Sequence, residues 1–281
     1  MLGAIIGDIS GSFREFIKDK YPGLGVLPDI NDLPTRKDGS PIRYSITDDT
    51  VLTIATMEGI IHNHYMGNAQ HEFKFAHSYL TYGSLYKNPV GGYGAGFVRW
   101  LDQGENNPGT NPKPYNSCGN GSAMRVSPVA YYAKTVDECL ELAFRSAIPT
   151  HNHPDGIKGA QATALAIFLA RHGSSWSQIE AELKRMYLWY EPVEHLGYFD
   201  AICQDTMRLV NHVLGTTNSF EEAVLKAVTI PDGDSDTLGA IVGSIAEALY
   251  GIPEELKTKA LAMMPSEMIG TMNLFVEIIN R

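Results

Sequence analysis

Apolar residues recur at helical spacing along nearly the whole chain, and few stretches alternate as half-buried strands do. Residues 47–61 set the pattern. Val51, Leu52, Ile54, Ala55, Met57, Ile60 and Ile61 predict a core helix opening at Thr47-Asp48-Asp49-Thr50. The arrangement repeats near the other end, where Leu238, Ile241, Val242, Ile245, Ala246 and Leu249 follow Asp232-Gly233-Asp234-Ser235-Asp236-Thr237 and stop near Gly251-Ile252-Pro253. Further helices are expected at 2–17, 70–86, 95–102, 135–147, 157–171, 176–190, 200–214, 220–229, 253–262 and 266–279, and another through Val126, Val129 and Ala130. In 70–86, Phe73, Phe75, Ala76, Tyr79, Leu80 and Leu85 are expected in or near the core. Two stretches read as loops: 20–45, rich in Pro, Gly and Asp with a short strand expected at 42–46, and the polar 103–116. Loops of that length in compact domains serve as lids or binding loops. The prediction is an all-α fold in a single domain over residues 1–281, since no charge run or low-complexity linker divides it.

The first helix is unusual. Gly3, Gly7 and Gly11 repeat every fourth residue, so one face is bare backbone. Glycine is a poor helix former, and such a stripe implies close packing against another backbone. Continued by one more turn, the line ends on Glu15, a carboxylate that is either salt-bridged or functional.

Composition narrows the function classes. The chain has 281 residues, 44% of them hydrophobic and 19% charged, as a globular protein does. A formal net charge of −10 with no Lys/Arg cluster disfavours extended nucleic-acid binding, though a small anionic ligand remains compatible. Cys118, Cys139 and Cys203 fit neither a disulfide framework nor a zinc spacing, and read as reduced thiols of a cytoplasmic protein. Neither a signal peptide nor an apolar run of about 18 residues is visible, so no membrane association is expected.

The acidic helix starts carry the chemistry. Capping needs one oxygen, whereas each start offers several, and carboxylates at contact distance repel one another unless a cation intervenes. The second cluster is either an over-decorated cap or half of a metal site. An EF-hand is excluded by Thr237 and Gly243, which stand where that loop needs its turn glycine and closing glutamate. If the two starts meet, Thr47, Asp48, Asp49, Asp234, Asp236 and Thr237 supply six hard oxygen ligands suited to Mg²⁺ or Mn²⁺, enough for two ions if carboxylates bridge. His62 and His64 have no Cys or Glu partner at ligand spacing and read as solvent-facing. The loop 87–97 is glycine-rich and aromatic, fit to wrap a planar ring or simply to turn before the next helix. Ser117 to Arg125 forms a Gly-rich turn before a helix, suited to a phosphate, but matches neither the Walker A nor the Rossmann pattern. His151-Asn152-His153 has the His-x-His form of a metal site, but two histidines alone cannot close one, and with Pro154, Asp155 and Gly156 the stretch reads equally as a turn with a helix cap.

Taken together these motifs resemble the ADP-ribosylglycohydrolases of the dinitrogenase reductase-activating type. The resemblance rests on Gly7-Asp8 with Gly11 and Glu15, on Thr47-Asp48-Asp49-Thr50, on Gly119-Asn120-Gly121-Ser122-Ala123-Met124-Arg125, on Thr150-His151 and on Gly233-Asp234-Ser235-Asp236-Thr237, in family order over residues 1 to about 255. It implies a compact orthogonal helical bundle with a binuclear Mg²⁺ or Mn²⁺ cleft, held by Thr47, Asp48, Asp49, Asp234, Asp236 and Thr237. Asp232 departs from the usual glycine and is left out of that set. ADP-ribose would contact Gly119, Asn120, Gly121, Ser122, Met124 and His151, with Tyr93 from the 87–97 loop. The implied reaction is hydrolysis at the anomeric carbon of the distal ribose, freeing ADP-ribose from a modified protein side chain or a related conjugate. Glu15, Asp49 and Asp234 are the expected catalytic carboxylates. Some family branches place an aspartate in the loop corresponding to 88–96, where this chain has none, which shifts weight to Glu15 and leaves the acceptor linkage open. Two alternatives stand beside this reading: a non-catalytic ADP-ribose-binding or structural member of the same fold, and a phosphatase using Asp-x-Asp-x-Asp-Thr as nucleophile, which would require a buried strand before that motif. A monomer is expected.

Overall fold

The computed structural model describes residues 1–15, 20–35, 39–66, 71–186, 201–231 and 233–281, without the side chains of 71–73. Among them are fourteen α-helices, one 3₁₀ turn at Ile30–Asp32 and no strand. The all-α expectation holds, and the phosphatase alternative loses the sheet it needs. In chain order the helices are α1 (Leu2–Ser12), α2 (Asp48–Met66), α3 (His71–Leu85), α4 (Ala95–Asn106), α5 (Gly121–Met124), α6 (Ser127–Tyr132), α7 (Val136–Ala147), α8 (Pro154–Arg171), α9 (Trp176–Met186), α10 (Cys203–Leu214), α11 (Phe220–Val228), α12 (Ser235–Tyr250), α13 (Glu254–Met263) and α14 (Ser266–Ile279). Asp232, the connector before α10 and the expected continuation of α9 to 190 lie outside the described residues. No described helix is long and apolar enough to cross a membrane.

The glycine stripe of α1 packs backbone to backbone on α12. A Cβ on Gly3 would lie 2.2 Å from the Gly243 carbonyl oxygen, one on Gly7 1.9 Å from that of Gly239, and one on Gly11 2.3 Å from Cα of Asp236. Only glycine permits this approach. The seam is flanked by fully buried Ile5, Ile6, Ile9, Ile241, Val242 and Ile245, and at about 25 cal/mol per Å² of apolar surface such burial is what holds two glycine-rich helices together. Its geometric effect is to set the end of α1 against the start of α12.

α1 is shorter than its periodicity predicts. It stops at Ser12, and Glu15 arrives on a turn instead of the fourth step of the stripe. The cause is Arg14, which is fully buried. Its guanidinium donates to the carbonyl oxygens of Ser10, Lys20, Leu24 and Gly25, so the chain curls around the cation. The strand expected at 42–46 is also absent. Isolated bridges at Thr35–Pro41 and Thr47–Val90 flank that stretch, and Ser45 N–H is taken up by the Ser12 hydroxyl at 3.0 Å. Leu85 ends α3 and is 63% exposed, outside the core. His62 pairs at 3.1 Å with Glu58 one helical turn earlier, a partner the spacing argument overlooked, while His64 is exposed as expected.

Candidate functional site

The two acidic helix starts meet. Thr237 Oγ1, in the first turn of α12, donates to Asp49 Oδ2 of α2 at 3.2 Å across 188 residues of sequence. Carboxylate oxygens of Glu15, Asp234 and Asp236 lie within 4.8 Å of one another. Asn120 Nδ2 reaches over from the Gly-rich turn and donates to Asp234 Oδ2 at 2.8 Å.

Asp8 holds the first start in place. It is completely buried and accepts from Thr47 N–H at 3.0 Å, Thr47 Oγ1 at 2.7 Å, Thr50 N–H at 3.1 Å and Thr50 Oγ1. A carboxylate taking two backbone N–H groups at a helix start acts as a cap from another helix. Thr47 Oγ1 gives its proton to Asp8 and accepts from Asp49 N–H at 3.2 Å, which leaves a lone pair for a cation. The second start is held by Lys20, 5% exposed. Its ammonium donates to the carbonyls of Arg14, Glu15 and Gly233 at 2.8, 3.0 and 3.2 Å and to Ser235 Oγ at 3.0 Å. It thus staples the turn that carries Glu15 to the loop that carries Asp234.

The electrostatics are strained without a positive charge in the middle. Burial, followed by repulsion from Asp8 and neighbouring aspartates, raises Asp48 and Asp49 well above the ordinary carboxylate range. Burial followed by repulsion from Asp234 does the same to Asp236, and pushes Glu15 up to about 7. Burial raises Asp8 to about 6 against the hydrogen bonds from Thr47 and Thr50. Glu15 Oε2 and Asp49 Oδ1 are buried without a hydrogen-bond partner. Orphaned carboxylate oxygens beside like charges are the condition a hard cation relieves. The donor set is all oxygen, so the residues fit a divalent metal of the Mg²⁺ or Mn²⁺ kind.

This acidic floor opens into a cavity of about 350 Å³. Glu15, Asp48, Asp234, Asp236, Thr237, Gly119, Asn120, Gly121, Met124, His151 and Tyr93 line it, while Thr47 and Asp49 stand one layer behind. Ser122 does not line it: the side chain is fully buried and its hydroxyl donates to the Gly156 carbonyl at 2.7 Å. The Tyr93 hydroxyl is engaged by the Tyr86 carbonyl at 2.9 Å, and its ring sits 5.0 Å from that of Phe97. Burial, reinforced by the nearby Arg125 cation, keeps His151 well below the usual histidine range, as a neutral imidazole.

Several residues escaped the sequence reasoning. Gly91, with φ of +82°, lets the 87–94 loop close over the acids; a Cβ there would sit 3.2 Å from Glu15 Oε2. Tyr115 joins the cavity wall, its ring 6.1 Å from that of His151. Lys20 sits in a stretch read only as loop, and two of its partners are 213 and 215 residues away. The Gly-Gly pair at 91–92 was the one local signal, since paired glycines mark backbone that needs positive φ.

Comparison with known proteins points one way. The sequence model of the family described as ADP-ribosylglycohydrolase matches residues 1–267. Human ADP-ribosylhydrolase ARH3 is 30% identical over 325 aligned positions covering 90% of this chain and 85% of the human one. The ADP-ribosylarginine hydrolase Tri1 of Pseudomonas putida is 24% identical, covering 90% of this chain and 70% of its own. The ADP-ribosyl-[dinitrogen reductase] glycohydrolase of Rhodospirillum rubrum is 28% identical over 60% of this chain and 56% of its own. A solved structure titled ADP-ribosylglycohydrolase-related protein complex superposes with a TM-score of 0.72 at 21% identity, over 99% of this chain and 95% of that one. This last likeness concerns the fold.

Proposed function

The chain belongs to the ADP-ribosylglycohydrolase family, and from that membership we propose that it is a metal-dependent hydrolase cleaving the glycosidic bond between ADP-ribose and its acceptor. The observation that carries the reading is the convergence of both acidic helix starts and Asn120 on one cavity. Thr47, Asp48, Asp49, Asp234, Asp236 and Thr237 would hold two divalent ions, Mg²⁺ or Mn²⁺. When bound, these ions would neutralise the acids and polarise the distal ribose.

The chain's own residues do the rest. Gly119 and Gly121 bring backbone close to the ligand at the mouth of α5, and Asn120 ties that turn to the acidic floor. Tyr93, Phe97 and Tyr115 give the cavity an aromatic wall for the planar or apolar parts of the ligand. Glu15 lies at the edge of the acidic floor with Oε2 free of hydrogen bonds; there it takes a proton from the attacking water or returns one to the leaving group. Asp234, on the cavity wall, and Asp49, one layer behind it, are the other two carboxylates assigned to catalysis. Release of free ADP-ribose from a panel of ADP-ribosylated substrates, with and without chelator, tests this. Release that chelation abolishes, and that Asp234→Ala or Asp49→Ala loses, is expected. Full release by either variant would overturn the assignment, and ADP-ribose binding without release from any substrate would favour a non-catalytic binding protein.

A further inference from the structure

Arg125 carries a buried positive charge that the proposed reaction does not use. It is fully buried beside the cavity, and its guanidinium carbon lies 3.9 Å over the centre of the Tyr79 ring. Nη2 donates to the Ser146 carbonyl at 3.2 Å and to Thr150 Oγ1 at 2.7 Å. Thr150 is fully buried too, and its Oγ1 lies 2.8 Å from His151 Nδ1.

The protons along this chain can be assigned. A guanidinium only donates, so Thr150 Oγ1 accepts from Arg125 and has one proton of its own to place. Among the described residues the acceptor within reach is His151 Nδ1 at 2.8 Å, and the large majority of buried donors in folded proteins are paired, although Arg125 Nε and Nη1 beside it are not. Thr150 therefore donates to Nδ1, Nδ1 carries no proton, and the neutral ring carries it on Nε2. That nitrogen faces the Gly-rich turn, where a Cβ on Gly121 would fall 3.1 Å away and one on Gly119 3.8 Å away. The two glycines keep the path from Nε2 into the cavity open.

We infer that Arg125 and Thr150 are positioning residues that lock His151 as an Nε2–H donor, aimed at an unprotonated ligand oxygen such as a phosphate oxygen held over Gly119 and Gly121. The low proton affinity of the buried ring beside Arg125 agrees with this. The choice of ligand atom rests on the ADP-ribose reading of the cavity, whereas the proton assignment does not. A fixed neutral donor selects for oxygen that lacks a proton and leaves proton transfer to the carboxylates across the cavity.

Two measurements test it. Long-range ¹H–¹⁵N spectra of histidine-labelled protein should show His151 protonated on Nε2 and bare on Nδ1. Calorimetry with ADP-ribose should show Thr150→Val binding about fivefold more weakly, the worth of one oriented hydrogen bond, with Thr150→Ser restoring wild-type affinity. A proton on Nδ1 in the wild type would overturn the inference, even if the valine variant failed to fold. Equal affinities for the valine and serine variants would overturn the positioning role. A wild type that bound no ADP-ribose would sink the functional reading, and the nitrogen spectrum would still decide the proton assignment.

Discussion

Gly7→Ala inserts one methyl group where α1 and α12 touch. The new Cβ would stand 1.9 Å from the Gly239 carbonyl oxygen, 2.2 Å from its carbon and 2.8 Å from Ala240 N, all backbone atoms that no rotamer change can move. Real contacts do not close below 3.0 Å, so the helices must part by more than about 1 Å or α1 must slide. Overpacking of this kind costs about 1–3 kcal/mol, and the upper end applies because both walls are main chain. For a chain of this size, about 3 kcal/mol corresponds to a fall in Tm of roughly 6–12 °C. The site suffers as well, because the seam sets Gly11 against Asp236 and so fixes Asp8 and Glu15 relative to α12. A displacement of about 1 Å costs on the order of 100-fold in turnover. The control is the same substitution in α14, at Gly270, where a Cβ meets nothing within 4 Å; Gly270→Ala should raise stability by about 0.5–1 kcal/mol through helix propensity and leave activity unchanged. Thermal melts and ADP-ribose release on both variants decide the matter. If Gly7→Ala melted like the wild type and kept its turnover, the seam would not be what holds the site together.

Other outcomes follow from the same geometry. Asp8 and Glu15 have folded pKa values of about 6 and about 7, above their ordinary 3.8 and 4.5. The folded state thus binds their protons more tightly, and the stability this supplies is complete below the ordinary values and lost as pH rises through the folded ones. Chelated protein should accordingly melt higher as pH drops from about 7 toward about 4.5, and saturating Mg²⁺ should flatten that slope; a chelated Tm falling steadily over the window would refute the argument that burial, joined at Glu15 by repulsion from Asp234, raises these groups. Lys20→Met removes a buried ammonium whose three N–H groups serve four oxygens, so a loss of about 3 kcal/mol and weaker Mn²⁺ binding by calorimetry are expected. A Lys20→Met protein with wild-type Mn²⁺ affinity would show that the staple is idle. Ser122→Ala should cost about 1 kcal/mol in denaturant unfolding while leaving KM unchanged, because its hydroxyl is spent on Gly156; a raised KM would return Ser122 to the ligand contacts.

How far the sequence reaches depends on whether a residue's reason for being there is local. The glycine stripe and the two hydroxyl-acid helix starts could be read because each breaks a local rule: too much glycine for a helix, too many carboxylates for a cap. Helix positions followed from periodicity with three departures: α4 runs on to Asn106 into the stretch expected as loop, the Gly-rich turn contains the short helix α5, and α1 ends early where Arg14 draws the chain into a turn through carbonyls up to eleven residues away. Lys20 left no mark, since a lone lysine in a Pro/Gly-rich loop is ordinary until its partners on α12 and the preceding loop are seen. Gly91 gave half a message: the loop read as glycine-rich, and only the folded chain shows its positive φ and puts Glu15 beneath it. Ser122 shows the reverse case, a residue inside a binding motif whose side chain turns to the protein interior.

The α1–α12 seam also sets the order in which the molecule can be made. The N–H of Gly3 finds Glu247 across 244 residues, and closing a loop of that length costs about 5 kcal/mol of chain entropy by ideal scaling. Nothing local repays that cost early. The seam is therefore expected to form late in folding, with Asp48 and Asp49 on one part of the chain and Asp234 and Asp236 on another until it does. An ion that bridges the two would act as a clasp, slowing unfolding more than it speeds folding, so metal should lengthen the lifetime of the native state with little effect on the rate at which it is reached.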